Sequence, residues 1–194
     1  MKNKYPNFFT VKILTALFLL FIPAFSEESA EELFNTALKY QKSGQLDQAE
    51  QYYKASLKLK SDVDAMYNLG ILYEDKNNYT EAEKYFKMAY DAGLSKAAYK
   101  LGYVYSKLNK KDLSERYYIQ SVTKDNNIDA MYNLAVLYNS RNQKNDAIKY
   151  FKMAADKGDI DAAYNLGLLY DDAGNFDSAE YYYKKAADVN NSNI

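Results

Sequence analysis

Asp64-Ala-Met-Tyr-Asn-Leu-Gly70 decides the fold, because the chain writes it again and again. It returns as Lys96-Ala-Ala-Tyr-Lys-Leu-Gly102, as Asp129-Ala-Met-Tyr-Asn-Leu-Ala135 and as Asp161-Ala-Ala-Tyr-Asn-Leu-Gly167. A worn copy, Glu31-Glu-Leu-Phe-Asn-Thr-Ala37, stands first, and the spacings are 33, 32, 33 and 32 residues. A fixed period in this range predicts a stacked array whose units bury their apolar faces against their neighbours. The copies divide the chain into repeats of about 31–63, 64–95, 96–128, 129–160 and 161–194.

Outward from the quoted stretch, Met66, Leu69, Gly70 and Tyr73 recur at one-face helical spacing, and Ala82, Tyr85, Phe86 and Ala89 do the same. Each repeat therefore predicts two amphipathic helices, A and B. Between them stands a Gly or Asn in every copy: Gly44, Asn77, Asn109, Asn142 and Gly174. These residue types tolerate the left-handed backbone that ends a helix. Three residues later comes a capping type, Asp47, Thr80, Asp112, Asn145 or Asp177, read here as the N-cap of helix B. Glu50, Glu83, Glu115 and Glu180 would complete capping boxes or complement the helix dipole, and Ser29 with Glu32 opens the first helix. The expected fold is all-α, a solenoid of five helix pairs over residues 29–189.

The core pattern sets small against large. One A position is always small: Ala37, Gly70, Gly102, Ala135, Gly167. Two B positions are too: Ala49, Ala82, Ser114, Ala147, Ala179, and Ser56, Ala89, Ser121, Ala154, Ala186. Tyr40, Tyr73, Tyr105, Tyr138 and Tyr170 on A, with Tyr53, Phe86, Tyr118, Phe151 and Tyr183 on B, fill the space beside them.

Composition narrows function. The chain has no Cys and no His, so thiol chemistry, disulfides and the commonest general base and metal ligand are missing. We expect no enzyme, no cofactor and no metal. The formal net charge is -1, and the first 26 residues hold three lysines and no acid. No strongly basic domain remains to bind nucleic acid. That first segment runs from Lys2 and Lys4 through Lys12 to the apolar stretch Ile13–Ile22, then Pro23-Ala-Phe-Ser26. Charge, short apolar core and small-x-small read as a secretory signal peptide over residues 1–26, followed by a repeat domain over 27–194. The apolar stretch is short of the ~20 residues that span a bilayer. A secreted or periplasmic location is expected, with no integral membrane segment after cleavage near Ser26.

These residues resemble the tetratricopeptide repeats, with traits of the related Sel1-like repeats. The small residue four after Met66, the Tyr three further on, and Ala82-x-x-x-Phe86-x-x-Ala89 match the tetratricopeptide pattern. Tyr-Asn-Leu-Gly-Leu-Leu-Tyr170 and Tyr-Lys-Lys-Ala-Ala187 read closer to Sel1. The resemblance covers residues 29–189. The period falls short of the usual 34, and the proline near each repeat end is absent. The family implies a right-handed superhelix whose A helices line a concave groove for a peptide or protein partner. On this chain the groove row would be Phe34, Tyr67, Tyr99, Tyr132 and Tyr164, beside Asn35, Asn68, Lys100, Asn133 and Asn165. The Asn amides and Tyr rings would either hold a peptide or serve the array itself, bonding a neighbouring repeat and packing between A helices. Some relatives clamp a C-terminal carboxylate. Asn68, Lys96 and Lys100 fit two helices of that clamp, but Phe34 and Leu38 replace the first, so that use is not expected.

The third repeat departs from the others, with Lys96, Lys100 and Lys107 and with Tyr103 where neighbours carry Leu, Ile or Val. It reads either as drift on a solvated face or as a basic notch among Asp129, Asp161, Asp171 and Asp172 that would orient an acidic partner. An uncapped last repeat would also allow weak self-association. The leading expectation is a non-catalytic interaction scaffold. The alternative is a module binding glycan or cell-envelope polymer through its tyrosine row.

Overall fold

The computed structural model describes residues 28–191, and the expected signal peptide over residues 1–26 lies outside them. Every regular element among the described residues is an α-helix. The chain divides into two compact units, one ending at Asp62 and one beginning at Val63.

The first unit is one helix pair, α1 (Ala30–Lys42) and α2 (Leu46–Leu59). Ser29 and Glu32 form the expected capping box, the Ser29 N–H donating to Glu32 Oε2 at 2.8 Å and the Glu32 N–H to Ser29 Oγ at 3.2 Å. Leu33 and Ala37 are buried on α1, and Ala49, Tyr53 and Ser56 on α2. Ser56 Oγ donates to the Ala30 carbonyl at 2.7 Å, so the serine satisfies its hydroxyl while staying small.

The second unit holds four pairs: α3 (Val63–Asp75) with α4 (Tyr79–Asp91), α5 (Ala97–Lys107) with α6 (Lys111–Asp125), α7 (Ile128–Ser140) with α8 (Lys144–Ala155), and α9 (Ile160–Asp172) with α10 (Phe176–Asn191). Each B helix also packs on the next A helix, and α5 touches α7 directly. The A helices thus lie along one side. Both small B positions are buried throughout the unit, as the pattern requires. The three A-helix glycines sit under the B aromatics. A β-carbon would lie 2.6 Å from the Phe86 ring at Gly70, 2.5 Å from Tyr118 at Gly102 and 2.6 Å from Tyr183 at Gly167. Even a methyl group is excluded there unless the ring moves.

The turns within the pairs agree with the sequence in their left-handed residue and differ in their cap. Asn77, Asn109 and Asn142 have φ of 56°, 57° and 59°, and Gly44 and Gly174 are likewise positive. The residue after each donates its N–H to the Tyr five positions back: Gln45 to Tyr40, Asn78 to Tyr73, Lys110 to Tyr105, Gln143 to Tyr138 and Asn175 to Tyr170. This is the Schellman closure, and it leaves no room for a further loop. The B helices therefore start earlier than expected, with Gln45, Asn78, Lys110 and Gln143 as N-caps. Asp47, Thr80, Asp112, Asn145 and Asp177 are instead the second helical residues. Asp47, Asp112 and Asp177 still favour the dipole from the first turn. Glu50, Glu83, Glu115 and Glu180 lie two residues too far in to close capping boxes and pair with Lys54, Lys110, Arg141 and Lys184.

Candidate partner-binding groove

Two rows run along the A helices. The first is the expected aromatic row, and each of its rings leans on the B-helix aromatic of its own repeat. Centroid distances are 5.5 Å for Tyr67–Phe86, 6.1 Å for Tyr99–Tyr118, 5.7 Å for Tyr132–Phe151 and 5.7 Å for Tyr164–Tyr183. In the first unit Phe34 meets Tyr53 in the same way. One face of each ring thus covers the core. Tyr67, Tyr99 and Tyr132 are half-buried, and Tyr164 is 52% exposed. Burial pushes the Tyr99 phenol up to about 12, helped by Asp129 and Glu74.

The second row, four residues further along each A helix, is Ile71, Tyr103, Val136 and Leu168. Val136 is 41% and Leu168 40% exposed, so an apolar strip borders the aromatic one. Only Tyr103 of this row was singled out from the sequence. The others show the same period but resemble core residues in type.

The Asn row bonds within its own helices. Asn68, Asn133 and Asn165 donate their amide N–H to the carbonyl four residues back in their own helix, at 2.9, 2.8 and 2.7 Å, accepted by Asp64, Asp129 and Asp161. A side chain that bonds its own preceding turn does not tie repeats together by that donor. In the first unit Asn35 is exposed.

Lysine fills the corresponding place on α5, and it crosses to the previous repeat. Lys100 Nζ donates to Glu74 Oε1 at 3.0 Å, with the two side chains 23% and 17% exposed. Lys100 is therefore a neutralised part of the groove floor rather than an open cation. Glu74 carries no signal by itself in the sequence, yet the alternation of B aromatics explains it. In the first unit the B residue is Tyr53, and its hydroxyl takes the A side chain opposite, donating to Gln41 Oε1 at 2.7 Å. Phe86 has no hydroxyl, so Glu74 is free to pair with Lys100. The other two lysines lie over rings, Lys96 Nζ 4.4 Å from the Tyr67 centroid and Lys107 Nζ 5.1 Å from that of Tyr103.

Behind the groove, polar side chains tie neighbouring repeats of the second unit together. Tyr138 donates to Glu115 Oε1 at 2.8 Å, and Arg141 reaches both Glu115 and Asp112. Lys110 donates to Glu83 Oε2 at 2.8 Å. Among the described residues no group of His, Cys, Asp and Glu is placed to hold a metal ion, and no helix is long and apolar enough to cross a membrane.

Comparison with known proteins agrees with this geometry. Family models described as tetratricopeptide repeat match residues 34–95, 95–127, 129–157 and 160–193. Comparison with curated proteins by sequence finds no significant match. Among solved structures, a crystal structure of MamA is similar at 25% identity and a TM-score of 0.72, covering 81% of this chain and 95% of that one. YrrB, titled a TPR protein with an unusual peptide-binding site, is similar at 27% identity and a TM-score of 0.67, covering 94% and 92%. The pilF protein of Pseudomonas aeruginosa shares the fold at 20% identity and a TM-score of 0.70, covering 79% and 73%. A period of 32–33 residues, paired helices closed by a left-handed turn and family matches running from residue 34 to 193 identify the chain as a member of the tetratricopeptide repeat family.

Proposed function

We propose that this chain is a non-catalytic scaffold that binds a peptide or protein partner along the A-helix rows of its second unit, and that it works outside the cytoplasm. The observation that carries the reading is the exposed apolar strip of Val136 and Leu168 beside Tyr164. Apolar side chains that leave a large share of their surface open to solvent next to exposed aromatic rings mark an interaction surface. The peptide-binding title of YrrB supports the same use. A glycan site would set carboxylates and amides around its rings, and one N–H of each of Asn68, Asn133 and Asn165 is already taken by the preceding turn of its own helix.

The test is affinity capture with the mature chain from an envelope extract, repeated with a Val136→Asp, Leu168→Asp variant. We expect a protein partner held by the first and lost with the second, both proteins melting alike. Retention by the variant, with loss on changing exposed B-helix residues such as Met88 and Leu113, would move the site to the other face. Export rests on Lys2, Lys4, the Ile13–Ile22 stretch and Ala24-Phe-Ser26. N-terminal sequencing of the native protein should begin at Glu27; a cytosolic protein beginning at Met1 would refute it.

A further inference from the structure

Within the second unit the A helices differ in the sign of the face they turn to the groove. On α3 that face carries Asp64 and Asp75, on α7 Asp129, and on α9 Asp161 and Asp172. At the N-cap and the last residue of α5 the matching positions are Lys96 and Lys107, and Lys100 stands where the other A helices carry Asn68, Asn133 and Asn165. The structure withdraws Lys100 from this set by pairing it with Glu74. Lys96 and Lys107 remain exposed, and their ammoniums lie over tyrosine rings rather than on carboxylates. A single cationic rib thus crosses a groove that is acidic on both sides. Screening at physiological salt acts over about 8 Å, close to the 8–10 Å between packed helices. A ligand therefore feels the rib one side chain at a time. A polyanion such as nucleic acid would meet repulsion on both flanks.

We propose that the groove accepts an extended peptide segment with an internal acidic side chain over α5 and apolar side chains over α7 and α9. This rests on the groove reading above and adds the ligand's chemistry. Lys96 and Lys107 stand at opposite ends of α5, about 16 Å of helix apart, so the acid would pair with one of them, beside the ring of Tyr67 or of Tyr103. Val136 and Leu168 offer the exposed apolar contacts on the next two A helices. An extended chain advances about 3.3 Å per residue, so neighbouring helices sample positions roughly three residues apart. The selected pattern is an acid with apolar residues about three and six places from it.

The probe is a random ten-residue peptide library displayed against the mature chain. The expected result is enrichment of Asp or Glu at one position, with apolar residues about three and six places away. The selected peptide should bind more weakly as salt rises. A Lys96→Glu, Lys107→Glu variant should weaken it by roughly tenfold or more and should select Lys or Arg at the acidic position instead. Its helical melt should match that of the parent chain, because neither lysine enters the core. Peptides selected without an acidic position, or a selection unchanged by the charge reversal, would overturn the ligand assignment and leave the groove standing. Failure to enrich any peptide, or enrichment of peptides whose binding survives Val136→Asp with Leu168→Asp, would overturn both.

Discussion

At Gly102 the Tyr118 ring stands where a β-carbon would go, 2.5 Å away, and that ring is almost fully buried. A larger residue cannot be accommodated by rotating the ring outward. Gly102→Leu should cost about 1–3 kcal/mol or more, seen as a lowered thermal midpoint. Tyr99→Ala should also lower it, though less, because Tyr99 covers Tyr118 as well as facing the groove. A loss at Gly102 no larger than at Tyr99 would show that the helix interface lies elsewhere. The phenols give a second residue-scale test. Burial raises Tyr53 and Tyr99 from 10.0 to about 12. A raised folded value favours the neutral form, so the stability that these groups contribute is complete below pH 10 and lost as pH rises through about 12. An alkaline absorbance titration should leave a set of tyrosines un-ionised above pH 10 until the helical signal falls. Small and large positions are legible in the sequence because they recur. The Glu74–Lys100 pair is not, since its members lie in different repeats and the cue is a missing hydroxyl on Phe86.

At the scale of the element, the helix pair is closed by backbone rather than by side chains. The left-handed Asn or Gly lets the next N–H return to the tyrosine carbonyl, and helix B begins at once. Asn142→Gly should be nearly neutral, whereas Asn142→Ala should cost about 1–2 kcal/mol in a denaturant melt. Equal effects would argue against the left-handed turn. The sequence marks this turn in every repeat but misleads about the cap, because Asp and Thr suit the first helical turn as well as the N-cap. Tyrosine pairing is the other element-scale device. Tyr73 stacks on Tyr85 at 5.5 Å, Tyr105 on Tyr117 at 5.3 Å, Tyr138 on Tyr150 at 5.6 Å and Tyr170 on Tyr182 at 5.7 Å. The first member of each was visible as a large A-helix residue. The second hides beside another aromatic in the B helix, and only the chain's path shows which of two adjacent rings turns to the A tyrosine.

For the whole molecule, the division at Asp62 and Val63 gives the second unit a core of its own, running from Tyr118 through Met131, Leu134 and Phe151 to Leu166 and Ala186. Residues 63–194 expressed alone should therefore stay strongly helical and melt cooperatively by circular dichroism. Residues 27–62 alone should be largely unfolded, since one helix pair cannot bury its apolar face. A disordered 63–194 fragment would mean that the first repeat is indispensable. The sequence by itself determined the repeat period, the helix pairs, the left-handed turns and the small-against-large core, because those depend on residue type at positions that recur. Only the tertiary structure decided that Lys100 is neutralised, that each groove asparagine gives one amide N–H to its own helix, and that Val136 and Leu168 stay exposed. Each of these depends on which side chain of one helix meets which of another, a distance that local pattern does not encode.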